Sequence, residues 1–119
     1  MKFSELEQFI KSDLGSNKEV ELALSSKNIG NSEINKLSSS LANSKVLLEL
    51  TIDMSSNSID NNHLIEPSQG LAQCKSLLKL VIDIGENCFG QKGLFGLIQS
   101  IQSCYNINKL SLDLGQQHC

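Results

Sequence analysis

The 119-residue sequence predicts an α/β solenoid: a curved parallel sheet on the concave side, with helices stacked on the convex side. Three observations predict it: a 30-residue repeat that needs no gap, an alternating apolar segment in each unit, and a helical apolar pattern after it. Val20, Leu50, Leu80 and Leu110 fall in register, as do Leu22, Ile52, Ile82 and Leu112, and then Leu24, Met54, Ile84 and Leu114. Strand-helix units joined by short connections give parallel strands with all helices on one side, because crossovers in a sheet are right-handed.

Taken in order, the elements begin with a helix expected over residues 3–14. Ser4-Glu5-Leu6-Glu7 forms a capping box, Phe3, Leu6 and Ile10 share a face, and Gly15 can terminate the helix. Residues 1–18 are therefore read as an N-terminal cap over the open end of the stack, and residues 19–119 as repeats whose units start near 17, 47, 77 and 107. Strands are expected near 20–24, 49–54, 79–84 and 109–114, where apolar residues alternate with others. Helices are expected near 32–43 and 91–103, because Ile34, Leu37 and Leu41, and Leu94, Leu97, Ile98 and Ile101, each lie on one helical face. In the second unit Pro67 occupies the helical column of Leu37 and Leu97. Proline is favoured in a first turn, so that helix is expected over 67–74 with residues 61–66 as a loop. The sequence stops after the fourth strand without a polar capping unit, which solenoids need for solubility, so either a fragment of a longer array, the preferred expectation, or a partner covering the last strand is expected.

These units resemble the leucine-rich-repeat family, specifically its ribonuclease-inhibitor-like class. The residues that carry the resemblance are Ile52-Asp53-Met54-Ser55-Ser56-Asn57-Ser58-Ile59 and Ile82-Asp83-Ile84-Gly85-Glu86-Asn87-Cys88-Phe89, which match the family's L-x-L-x-x-N-x-L core. Gln117 takes the Asn position in the fourth unit and Lys27 in the first. The resemblance implies that Asn57, Asn87 and Gln117 form a structural ladder, and Lys27, which accepts no hydrogen bond, should leave the first turn looser.

Composition removes several functions. All ten basic residues are lysine and the net charge is −3, which argues against nucleic acid, since binding it needs a basic surface and base readout leans on arginine. No apolar run is long enough to span a membrane, and residues 1–15 carry charges at Lys2, Glu5, Glu7, Lys11 and Asp13 where a signal peptide needs an apolar stretch. A cytoplasmic protein is expected. Cys74, Cys88, Cys104 and Cys119 show no zinc spacing and are read as small apolar fillers. Gly90, Gly93 and Gly96 lack the spacing of a phosphate-binding loop, and His63 and His118 are read as exposed turn residues.

The candidate site is the open sheet face: Glu49, Thr51 and Asp53, then Lys79, Val81 and Asp83, then Lys109, Ser111 and Asp113. Asp53, Asp83 and Asp113 would stack about 4.8 Å apart and repel by roughly 1 kcal/mol per neighbouring pair in water. Two interpretations stay open: an acidic stripe that meets Lys or Arg on a partner, or a solvated column that the scaffold tolerates. An open face offers no water-excluding pocket, so no catalytic residue, metal ligand, cofactor or small-molecule substrate is expected. The expected function is a non-catalytic protein-protein interaction module, its partner another protein with a basic surface. The alternative is a regulatory partner of an enzyme, such as a GTPase-activator-like or kinase-associated repeat segment.

Overall fold

The computed structural model describes residues 2, 3, 8, 18–115 and 117. Among these, strands β1 (Lys2–Phe3), β2 (Glu19–Ala23), β3 (Glu49–Asp53), β4 (Lys79–Asp83) and β5 (Lys109–Asp113) form one parallel sheet in chain order. Helices α1 (Asn31–Ala42), α2 (Asn61–Leu71) and α3 (Gln91–Ser103) connect β2 to β5 and pack side by side. The architecture is the leucine-rich-repeat solenoid that the repeat predicts. Its register is constant: Val20 pairs with Leu50, Leu50 with Leu80 and Leu80 with Leu110.

Alternation puts every second strand residue into the core. Leu22, Leu24, Leu50, Leu80 and Ile84 are fully enclosed, and Ile34, Leu37, Leu41, Leu64 and Leu71 close over them from the helices. Among the described residues no strand follows β5, and the same column that is 0% exposed at Leu50 and Leu80 is 51% exposed at Leu110. Phe95 and Tyr105 of the unit before β5 are also well exposed.

The turns after the strands depend on the amide column. Asn87 Oδ1 accepts from the backbone amides of Asn57 (2.8 Å) and Ile59 (2.9 Å), and Asn87 Nδ2 donates to Met54 O, Ile84 O and Gly85 O. Asn57 treats the preceding turn in the same way, accepting from Lys27 N and Ile29 N and donating to Leu24 O. Each amide therefore orders the turn one repeat earlier as well as its own. Expected looseness at Lys27 does not fall on the amides of its own turn, which Asn57 holds. The ladder also fixes left-handed backbone at Ser26, Asn28, Ser56, Ser58 and Glu86, with φ of 54–57°, a conformation that costs a residue with a Cβ about 1–2 kcal/mol.

Two expectations fail. The second helix is not confined to 67–74: α2 runs from Asn61 to Leu71 with Pro67 inside it. Its start is set by Asp60, whose Oδ1 accepts from His63 N at 2.9 Å, while Leu64 N donates to Asp60 O. Pro67 removes one amide from the helix, a loss that local propensity counts heavily, but packing opposes it. Leu64, Pro67, Ser68 and Leu71 are buried, and Ser38 Oγ of α1 donates to Glu66 O at 2.8 Å. Gly70 allows this approach, because a Cβ there would lie 2.1 Å from Ser38 O. The helix over 3–14 fails at its start, where Phe3 pairs with Leu22 in the sheet. Of its remainder only Gln8 is described, and it is helical; the other positions and the domain boundary at 18 lie outside the described residues.

Ile82→Ala should destabilise the protein by about 2–5 kcal/mol through cavity formation, read from a denaturation titration, whereas the half-exposed Leu110→Ala should cost far less. Asn87→Ala should cost about 3 kcal/mol, because it strands buried amides without an acceptor. Gln117→Ala should cost less than Asn87→Ala, because Gln117 reaches Phe89 N and Ile84 O only at 3.4 Å.

Candidate functional site

The register assembles the expected surface residues into columns: Glu49-Lys79-Lys109, Thr51-Val81-Ser111 and Asp53-Asp83-Asp113. Residues 51, 53, 79, 81 and 83 are half-buried, while Glu49, Lys109, Ser111 and Asp113 are exposed. Glu19, Glu21 and Ala23 extend the columns on the other side.

Geometry adds a role to the Asp column that its spacing did not reveal. Asp53 Oδ1 accepts from Ser55 N at 3.0 Å and from Ser55 Oγ at 2.7 Å. Asp83 Oδ1 accepts from Gly85 N and Asp113 Oδ1 from Gly115 N, both at 3.0 Å. Each aspartate closes the turn that ends its strand, as short carboxylate side chains do when they bond a backbone amide two residues on. The column is thus a line of carboxylates, each anchored through one oxygen.

The helix starts are tied together as well. Asn61 Oδ1 accepts from Gly90 N and Gly93 N, both at 2.8 Å, so α2 caps α3. Gly93 has no room for a Cβ, which would lie 2.8 Å from that Asn61 oxygen. His63 is not in a loop: it sits half-buried in the first turn of α2, with Nε2 paired to Asn31 Oδ1 of α1 and Nδ1 3.4 Å from Asp60 Oδ1. The Asn61 bonds to Gly90 and Gly93 and the pairing of His63 with Asn31 were not readable from the sequence, because they join residues about one repeat apart.

Cys74 and Cys104 are buried free thiols in one column, donating to Leu41 O and Leu71 O respectively. Burial, reinforced by the neighbouring Cys104, pushes the Cys74 thiol up to about 12. Burial also raises Cys104, with Lys75 opposing. The filler interpretation fits these two, while Cys88 is disulfide-bonded and Cys119 lies outside the described residues. Among the described residues, no cluster of three or more His, Cys, Asp and Glu could hold a metal ion.

No family model matches the sequence, and no curated protein matches it. Solved structures that share the fold include two domains. The Caenorhabditis elegans tropomodulin C-terminal domain has a TM-score of 0.69 at 19% identity, covering 94% of this chain and 66% of that chain. Leiomodin-1 actin-binding site 2 has a TM-score of 0.64 at 17% identity, covering 92% of this chain and 60% of that chain. This chain therefore spans less than two thirds of the length of the leiomodin-1 domain and about two thirds of the tropomodulin domain. These neighbours overturn the ribonuclease-inhibitor-like assignment: the likeness runs to the tropomodulin and leiomodin domains, and at these identities it concerns the fold alone. The L-x-L-x-x-N-x-L core records how a turn is held, so it does not separate one class of repeat from another.

Cys74 should resist alkylation by iodoacetamide at neutral pH until denaturant is added. The unfolded thiol ionises near 9 and the folded one near 12, so its contribution to stability is complete below 9 and declines as pH rises toward 12. Stability curves of wild type and Cys74→Ala should therefore converge across that window.

Proposed function

We propose that this chain is a non-catalytic protein-binding module whose partner docks on the open face of the sheet. The observation that carries the proposal is the Asp53-Asp83-Asp113 line. Fixed register spaces the carboxylates by about one strand separation, roughly 4.8 Å, and their turn bonds hold them in place before any partner arrives. Lys or Arg on a partner would relieve the repulsion along the line, so complementarity would govern specificity and association rate more than affinity.

The shared fold with leiomodin-1 actin-binding site 2 supports a protein partner and makes actin the first one to test. Such a partner is in keeping with a cytoplasmic protein. Among the described residues no helix is long and apolar enough to cross a membrane. The alternative, a regulator of a GTPase or kinase, receives no support from the two similar structures, and a chain without arginine supplies no arginine finger.

The test compares wild type with the triple variant Asp53→Asn, Asp83→Asn, Asp113→Asn for binding to immobilised actin at two ionic strengths. Asparagine keeps the acceptor oxygen that closes each turn, so folding should survive. At low salt the variant should associate about tenfold more slowly, and added salt should slow only the wild type appreciably. A control replacing exposed Gln69, Gln73 and Gln99 on the helical side by alanine should change little. Unchanged association of the triple variant would leave the column as a tolerated feature of the repeat.

A further inference from the structure

The rim where the strands begin carries a second surface feature, at the opposite end of the strands from the aspartates. Its backbone is held by shared acceptors. Lys18 O receives the amides of Leu48 and Glu49, Leu48 O those of Leu78 and Lys79, and Leu78 O those of Asn108 and Lys109. A groove of about 330 Å³ runs across these segments. Its floor is apolar: Leu48 is half-buried and Leu78 is 39% exposed, an unusual exposure for a leucine in this core-rich repeat.

The groove's charges are sorted by sign. Crossing the strands in register order, the side chains are Glu19, Glu49, Lys79 and Lys109. Glu49 and Lys109 lie two strand spacings apart, roughly 10 Å. Glu49, Lys79 and Lys109 form no ion pair among the described residues, so each is open to an incoming group. A partner of one sign would be attracted at one half and repelled at the other. A segment carrying both signs satisfies both halves.

We infer that this groove holds an extended segment of a protein partner that crosses the strands, placing a carboxylate over Lys109, beside Lys79, and a basic side chain over Glu49. Residues three apart in a polyproline II segment lie on one face about 9 Å apart, which matches the separation of Glu49 and Lys109. Its intervening backbone and side chains cover Leu48 and Leu78. The order of the charges fixes the direction in which the segment crosses the sheet. The inference rests on the chain being a protein-binding module, and adds a contact that the Asp column does not make.

The test uses a synthetic probe, acetyl-Gly-Gly-Glu-Pro-Pro-Lys-Gly-Gly-amide, titrated into the isotope-labelled full chain while backbone amide resonances are followed. The expected result is shifts at Glu49, Leu78, Lys79 and Lys109. A neutral counterpart with Gln for both charged residues should bind about tenfold more weakly, the sum expected of exposed ion pairs. The double variant Lys79→Glu, Lys109→Glu, changed only at solvent-accessible positions, should lose the shifts. Absent shifts, shifts confined to other surfaces, or equal binding of the neutral probe would each overturn the inference. If the probe fails while the aspartate variant still slows association with actin, only the groove is lost. If both fail, the module reading goes with it.

Discussion

Strands β3 and β4 leave the sheet through turns whose backbone amides and carbonyls are bonded to the buried side chains of Asn57 and Asn87. Unpaired, each such group would cost about 1–3 kcal/mol. The amide side chains of Asn57 and Asn87 meet that demand by accepting from two backbone amides and donating to three carbonyls each. With the turns fixed, register follows, and with register the apolar columns meet one another and the charged columns form on the other face. The surface chemistry of the module is in this sense a by-product of how its turns are satisfied.

Much of this could be read from residue types and spacing. Alternation at Leu50, Ile52 and Met54 defines a strand and its buried face, and the phase of the repeat identifies the residues that stack, so the three surface columns were predictable to the residue. Helix α2 was not. Pro67 carries a strong local signal against helix, and what overrides it is the approach of Ser38 across Gly70, a contact between units that no single-unit pattern displays. The N-terminal strand was hidden for a related reason: Lys2 and Phe3 are too short a segment to show alternation, and their pairing with Glu21 and Leu22 is a tertiary choice.

The aspartate column shows a different limit. Its position on the open face was clear, but its dual character was not, since a carboxylate that bonds the amide two residues onward looks the same in sequence as one that points into water. Both properties belong to the same side chain: one oxygen serves the fold while the charge remains at the surface. Replacing such a residue by asparagine keeps the turn acceptor and removes only the charge. Class assignment within the repeat family failed for the complementary reason, because the residues compared were those every class needs for its turns.

The offset of the amide ladder has a temporal side. Asn87 supplies the acceptor for the amides of Asn57 and Ile59, and Asn57 that for Lys27 and Ile29, so each turn waits on a side chain encoded 28–30 residues downstream. A chain emerging from the ribosome amino-terminus first thus carries at its leading edge a repeat whose strand and helix are already present but whose turn still lacks its cross-repeat acceptor. Each newly made unit completes the one before it, and the growing protein always trails one unfinished corner behind the exit tunnel.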